Sequence, residues 1–400
     1  MRVLFVHERF GAFAGAEANL YQTAEELKRR GHTVGILHGV GTGRSEPAWR
    51  EAFHQCFALE GRDNCATVQT ALWEFRPDFI YMHKMADLEV LHTLVGSRIP
   101  IVHMIHDHDL YCMRSYKYHF LSRKICQRPF SPYCLFPCGA SVVRDRGGRL
   151  PLRWVSYAAK KKEIELNQQC RRLVVATNYM KDELLRNGFA PEKIAVHAPV
   201  PPDGGAPLRS SFSERNRLIY AGQIVRGKGV DVLLEAMAQI DIPFECIILG
   251  DGNHKAFCEE LSRKLGLESR VHFKGYVPAK ELKSFYQECS VVVMSSVWPE
   301  PFGAAGLEGM RYGLPVVAFD AGGISEWLIS GHNGYLVPWM DRAAFAGRVQ
   351  ELLVDKTLAR QMGERGSCLV SQKFDFSSYI SALENLFAQV VSEAQENVQA

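Results

Sequence analysis

The sequence predicts an α/β protein made of two doubly wound, Rossmann-like domains, and three observations predict it. Aliphatic, β-branched runs alternate with amphipathic helical segments from the first residues onward, the pattern of a parallel sheet covered on both faces. The alternation breaks at Val200-Pro-Pro-Asp-Gly-Gly-Ala-Pro207, a linker dense in Pro and Gly, and then restarts. A length of 400 residues is more than one core usually organises and suits two domains of ordinary size. The expected boundaries are 1–204 for an N-terminal domain, 205–375 for a C-terminal domain, and 376–400 for a closing helix and tail.

Taken in order, Arg2–His7 reads as the first strand and Ala16–Arg30 as a helix. Ala16, Leu20, Ala24 and Leu27 lie along one side of that helix, and Gly31 stops it. Thr33–Leu37, Asp78–Met82, Ile99–Ile105 and Arg172–Ala176 are the next strand candidates. Beyond the linker, Leu218–Gly222, Glu245–Gly250, Arg270–Phe273, Ser290–Met294 and Leu314–Phe319 repeat the pattern, each with a helical segment behind it. Phe376–Ala394 reads as an amphipathic helix.

The apolar and charged fractions, 47% and 23%, describe a soluble globular chain and exclude a disordered one. No apolar run approaches the ~20 residues that span a bilayer. The N-terminus, Met1-Arg-Val-Leu-Phe-Val-His-Glu-Arg9, is charged too early for a secretory segment, so a cytoplasmic location is expected. Residues 1–205 hold 28 Lys/Arg against 21 Asp/Glu, and the remainder 19 against 23, so the halves differ in sign. Most of the excess lies in 111–162, where twelve basic residues face one acid, Asp145, which predicts an anionic partner for the N-terminal half. Leu150-Pro-Leu-Arg-Trp-Val-Ser-Tyr157, followed by Lys160, Lys161 and Lys162, has the mix of membrane-surface segments, which suggests contact with the inner face of a membrane. A solvated helix face beside a half-buried aromatic pair reads the same stretch equally well. No nucleic-acid partner is expected.

The chemistry concentrates after strands. Ser290–Ser296 leads into Val297-Trp-Pro-Glu-Pro-Phe-Gly303, and Glu300 and Glu308 bracket a turn rich in small residues that opens a helix. Such a turn presents backbone N–H groups to an anion, and carboxylates beside it accept hydrogen bonds from hydroxyls. Phosphate plus neighbouring hydroxyls describes a nucleotide sugar. Asp320-Ala-Gly-Gly323, Ile324-Ser-Glu326 and Gly331-His-Asn-Gly334 then follow in order. After Leu218–Gly222 comes Gln223-Ile-Val-Arg226-Gly-Lys228-Gly229, where a lysine between glycines at a helix mouth can reach a diphosphate. Phe10-Gly-Ala-Phe-Ala-Gly15-Ala-Glu17 follows the first strand, and Val102-His-Met-Ile-His106-Asp107-His108-Asp109 ends another. Alternating His and Asp share one face of an extended chain, which by itself also suits a metal.

This series resembles the retaining family 4 glycosyltransferases, whose Glu-x7-Glu motif is matched by Glu300 and Glu308. The resemblance covers nearly the whole chain and is weakest across 111–170. It implies the GT-B architecture, two Rossmann-like domains facing a cleft, with the C-terminal helix packing back on the N-terminal domain. It also implies a nucleoside-diphosphate-sugar donor, UDP- or GDP-linked, bound by the C-terminal domain, and a glycan, glycolipid or small hydroxyl acceptor bound by the N-terminal one. Lys228 matches the family's diphosphate lysine, Glu300 the glutamate at the donor sugar, and Glu308 the one at the ribose. His106 matches the histidine of the family's His-Asp element, which hydrogen-bonds the donor sugar. Gly303, Ala304 and Ala305 match its donor-binding amides, and Gly15 its Gly-Gly-x-Glu turn. Gln223 stands where the family usually has arginine, and Arg226, three residues on, is the candidate to supply that charge. Ala14 stands where the turn usually has its first glycine. Gly250-Asp-Gly252 is expected as a scaffold turn. No cofactor is required for catalysis on this reading. A sugar-nucleotide epimerase on the same fold and a non-catalytic nucleotide-binding protein are the alternatives.

Eleven cysteines in a chain expected in the cytoplasm argue against a disulfide framework. Cys112, Cys126, Cys134 and Cys138 cluster in a loop lacking helix or strand pattern, from about 110 to 170, and are a candidate structural Zn²⁺ or iron–sulfur site. Reduced, unliganded thiols are the other reading. Either way the loop's position suggests acceptor recognition.

Overall fold

A computed structural model describes residues 1–12, 15–59, 61, 63–144, 152–202 and 212–399. The linker residues 203–207, the expected boundary at 204/205, Ala14, Asp145, Leu150 and Pro151 lie outside the described residues. The chain divides into two compact units. The first is Met1–Ser115, Gln127–Pro202 and Phe376–Ala400, and the second is Tyr116–Cys126 and Asp203–Asp375.

The first unit carries strands β1 (Arg2–Phe10), β2 (Thr33–Gly41), β3 (Gln55–Ala58), β4 (Phe79–Lys84), β5 (Ile101–Ile105), the short pair β6 (Val142–Arg144) and β7 (Leu152–Trp154), then β8 (Arg172–Val175) and β9 (Ile194–Val196). Seven of them form one parallel sheet in the order β3-β2-β1-β4-β5-β8-β9, while β6 and β7 pair antiparallel apart from it. Strand β1 shows why a parallel sheet needs an apolar run without alternation. Val3 and Phe5 join one core cluster and Leu4 and Val6 another, because both faces are covered. It extends to Phe10, which stays in register with Gly41 of β2. The helix Phe376–Gln399 completes this unit. Tyr379, Ile380, Leu383, Leu386, Phe387 and Val390 follow helical spacing and bury against Val3, Phe5, Phe79 and Tyr81. The Phe387 ring centroid lies 4.5 Å from that of Phe79, and burying one such ring stabilises by about 1.5–3 kcal/mol. Arg30 and His32 pair with Glu384, and Arg171 with Glu393, along its flank.

The second unit repeats the plan with β10 (Arg217–Ala221), β11 (Glu245–Leu249), β12 (Val271–Gly275), β13 (Val291–Met294), β14 (Val316–Phe319) and β15 (Gly334–Val337), parallel in the order β12-β11-β10-β13-β14-β15. In both sheets the winding direction reverses beside the first strand, between β1 and β4 and between β10 and β13. The loops at the carboxyl ends of those strands therefore diverge and leave room for a ligand.

Three features depart from the sequence reading. The edge strands β3, β9 and β15 are only three or four residues long and carry too little pattern to be seen alone. Tyr116–Cys126, assigned by sequence to the N-terminal domain, folds with the second unit. The run Lys160–Lys162 is not one solvated basic face: Lys160 is buried, donating to the Asp109 carbonyl at 2.7 Å and pairing with Glu163 at 2.6 Å. Among the described residues no helix is long and apolar enough to cross a membrane.

Candidate functional site

In the second unit the loops after β10 and β13 are stitched together. The Gly227 carbonyl accepts the N–H groups of Val297 and Trp298 at 2.9 and 3.1 Å, and Ser295 Oγ donates to the Lys228 carbonyl at 3.0 Å. The approach is so close that only glycine fits at 229, where φ is +65° and a Cβ would stand 2.1 Å from the Ser295 carbonyl oxygen. This brings Lys228 Nζ to 2.6 Å from Glu300 Oε1, with the Ser296 hydroxyl on the same oxygen. Glu300 is 3% exposed. Burial works against its charge, but Lys228, Ser296 and Trp298 outweigh it and hold the carboxyl below its ordinary pKa, so it is ionised. Lys228 also lies 5.2 Å from the centre of the Trp298 ring.

The Asp320-Ala-Gly-Gly323 turn explains itself here. Ala321 accepts the Glu300 N–H at 3.1 Å, and Gly323 donates to the Glu300 carbonyl at 2.7 Å. Gly322 has φ +74°, and a Cβ there would sit 2.4 Å from the Glu300 carbonyl oxygen. Gly303 then caps the helix Ala304–Arg311 without any side-chain cap, so the amides of the first turn are presented by the backbone alone. Trp327 braces the turn, its Nε1–H donating to the Phe302 carbonyl at 2.6 Å. Glu308 shares a helix face with Ala304. It is half-buried and accepts from the Tyr286 hydroxyl at 3.4 Å. Burial raises its pKa, so the two glutamates of the motif differ, Glu300 firmly ionised and Glu308 more readily protonated.

Arg226, the candidate to supply the charge absent at Gln223, is engaged within the second unit. Its guanidinium donates to the Phe120 carbonyl and lies 4.9 Å from the centre of the Phe120 ring. The turn at Gly250–Gly252 serves as scaffold for the same loop: Ile224 donates to the Asp251 carbonyl at 2.9 Å, and His254 to that of Ile224 at 3.0 Å.

In the first unit a small pocket opens at the ends of β4 and β5, lined among others by Ala16, His83, Lys84, His106, Asp109 and Glu163. His106 sits 2.8 Å from His83, Nε2 to Nδ1. Burial drives His106 down to about 3 and His83 well below its usual value, so both rings are neutral. Lys84 reaches Asp109 at 2.9 Å, Glu8 at 3.8 Å and Asp107 at 3.9 Å. Burial opposes its charge, yet these carboxylates hold Lys84 above its ordinary pKa. Glu163 is pushed up to about 7 by burial, despite Lys160. Gly15 opens the helix Gly15–Arg29, and a Cβ there would meet nothing within 4 Å, so nothing in the unit itself requires glycine.

Sequence reasoning missed His83, Lys84, Glu163 and Tyr286. His83 and Lys84 directly follow the predicted strand Asp78–Met82, and the rule that ligands bind at the carboxyl ends beside a winding reversal would have found them. Nothing in the sequence pairs Tyr286 with Glu308. Among the described residues no group of three or more His, Cys, Asp or Glu is placed to hold a metal ion. Cys126 folds with the second unit, whereas Cys112, Cys134 and Cys138 belong to the first. There the loop is held by its own polar contacts, Arg114 donating to the carbonyls of Cys138 and Gly139 at 3.0 and 2.8 Å and Arg128 lying over Tyr133.

Residues 13–199 match the family model described as Glycosyltransferase Family 4, and residues 209–367 that described as Glycosyl transferases group 1. A D-inositol 3-phosphate glycosyltransferase of Streptomyces bingchenggensis is 30% identical over 243 residues, 55% of this chain and 53% of that protein. An alpha-D-kanosaminyltransferase of Streptomyces kanamyceticus is 29% identical over 187 residues, 46% of this chain and 48% of that protein. The chain thus spans about half the length of these curated relatives. Among solved structures, Anabaena HepE in complex with UDP and glucose has a TM-score of 0.72 at 20% identity, covering 97% of this chain and 100% of that one. Sucrose-phosphate synthase from Thermosynechococcus elongatus has 0.73 at 17% identity, covering 98% and 100%. At these identities the structures establish the fold, that of GT-B glycosyltransferases: two α/β units with parallel sheets, and helices at the C-terminus.

Proposed function

We propose that this chain, with a Glycosyltransferase Family 4 segment in its first half and a Glycosyl transferases group 1 segment in its second, is a retaining glycosyltransferase. It moves a hexose from a nucleoside diphosphate, UDP by the likeness to HepE, to an acceptor hydroxyl. The observation that carries this reading is the Lys228–Glu300 pair, with Glu300 three residues before the uncapped helix start at Gly303 and the half-buried Glu308 on that helix.

On this reading Lys228 and the amides of Gly303, Ala304 and Ala305 take up the charge that grows on the departing diphosphate. Glu300 orients the sugar, and Glu308 accepts the ribose hydroxyls. The bond from the anomeric carbon to the diphosphate breaks and one to the acceptor oxygen forms on the same face. The acceptor's proton leaves with the diphosphate. The acceptor is a glycan or glycolipid hydroxyl of cell-surface synthesis, made on the cytoplasmic side. Peripheral membrane contact is supported by Leu152 and Trp154, both largely exposed on either side of Arg153.

The test is a panel of UDP- and GDP-sugars incubated with the purified chain, following nucleotide release. One donor is expected to hydrolyse slowly without acceptor, and retention of nucleotide across the whole panel would reject the reading. With that donor, Glu308→Gln is expected to raise KM by the equivalent of about 1.5–3 kcal/mol, the scale of a hydrogen bond to a charged group. Because burial raises the Glu308 pKa, wild-type donor binding should weaken on acidification at a higher pH than an ordinary carboxylate would allow. The Gln variant should lose that pH dependence, and an unchanged profile would place Glu308 outside the donor site.

A further inference from the structure

Tyr116–Cys126 stands between two stretches of the first unit in sequence yet folds with the second. The segment closes on itself: Tyr118 bridges Ile125 antiparallel, His119 N–H donates to the Lys124 carbonyl at 2.9 Å, and Cys126 N–H to that of Lys117 at 2.8 Å. Lys117 and Arg123 sit in the left-handed region at φ +52° and +58°, where residues with side chains persist only if their surroundings hold them.

Arg123 is held at the foot of the loop that carries Lys228. Arg123 forks onto both carboxylate oxygens of Asp231, Nη1 to Oδ1 at 3.2 Å and Nη2 to Oδ2 closer, with both side chains about one-tenth exposed. Asp231 is the second residue of the helix Val230–Met237, and His254 Nε2 lies 3.6 Å from its Oδ2, the oxygen that Arg123 Nη2 also contacts. Burial opposes the charge on Asp231, but His254 and Arg123 bring its pKa down to about 2. Phe120 engages Arg226 by its carbonyl and its ring. The Tyr118 ring edge lies 3.3 Å from where a Cβ on Gly227 would stand. Three side chains of one segment therefore touch 226, 227 and 231, on both sides of Lys228.

We propose that Tyr116–Cys126 is a clasp on the Arg226–Lys228 turn, anchored by Arg123 as a positioning residue that keeps Lys228 aligned with Glu300. The segment's role is then to order the donor loop, not to recognise acceptor as its place in the sequence suggests. That Lys228 serves a donor rests on the function proposed above; the clasp itself does not.

Hydrogen–deuterium exchange of the full chain without ligand tests it. Arg123→Ala should speed exchange of the amides at 226–231 by about tenfold or more while leaving those of β1 and β4 at their wild-type rates. Arg123→Lys should restore part of the protection, because lysine keeps the charge but not the fork. If Arg123→Ala fails to fold, Phe120→Ala, at a half-exposed position, should loosen the same amides to a smaller degree. Wild-type exchange at 226–231 in every folded variant would overturn the clasp. UDP binding to the same proteins separates the two proposals. Weaker binding by Arg123→Ala extends the clasp to donor recognition, whereas unchanged binding by both Arg123→Ala and Lys228→Ala, with exchange still raised, leaves the clasp standing and removes the donor reading.

Discussion

Replacing Lys228 with alanine is expected to lower kcat for donor turnover by about 10²- to 10³-fold, the loss seen when one preorganised group is removed from a developing negative charge. Ground-state binding should suffer less, because the diphosphate gains charge as the sugar departs. The variant carries a second penalty. Glu300 is 3% exposed and receives the Lys228 ammonium on Oε1, so its carboxylate would be left buried without its counter-ion. Breaking such a pair typically costs about 3–5 kcal/mol, part of which Glu300 avoids by taking up a proton. Lys228→Met combined with Glu300→Gln removes both charges and should recover thermal stability without recovering activity. Equal kcat in wild type and Lys228→Ala would remove this lysine from the chemistry. Recovery of activity in the double variant would show that only the buried charge mattered.

Acid is expected to open the first unit well before the second. His7 and His103 are held down to about 4 and His106 to about 3, each mainly by burial, and His83 lies well below its ordinary value. A histidine whose folded pKa is depressed contributes stability that is complete above its unfolded value near 6.5. That contribution is lost as pH falls from there toward the folded value, because the unfolded chain takes the proton first. The loss is at most about 1.4 kcal/mol per pH unit for each such ring. Glu163 works the other way: raised to about 7, it stabilises more as pH falls from 7 toward 4.5, which offsets about one histidine. The rings lie close enough to titrate as a set, so one broad transition between pH 6.5 and 4 is expected. Two buried carboxylates of the second unit, Asp231 and Glu300, have lowered values that keep them ionised until the carboxylate range is passed. Hydrogen exchange at pH 7, 5.5 and 4.5 should therefore show protection lost from β1, β4 and β5 while β10 and β13 remain protected. Simultaneous loss in both units, or loss from the second first, would contradict this.

How far the sequence reached differs from residue to residue. Strand β1 was visible because both its faces are buried, which demands an unbroken apolar run, Val3–Val6, that no loop would carry. The closing helix was visible as an amphipathic stripe, and its core-facing residues, from Tyr379 to Val390, are those that stripe exposes. Edge strands such as β9 escaped because three residues hold no period. The Tyr116–Cys126 excursion escaped for another reason: Arg123 and Asp231 are 108 residues apart, and no local pattern marks two charges as partners.

By itself, then, the sequence determined the two wound sheets and the strand-end turns bearing Glu300 and Lys228, since burial period and glycine placement are local properties of the chain. Only the tertiary structure decided which charges meet. It joined Lys228 to Glu300 across 72 residues, gave Arg226 to Phe120 and set His83 against His106. Those pairings depend on where strands lie in the sheet and on how much water the surrounding side chains exclude, and both are set by the packed fold, not by any neighbouring stretch of residues.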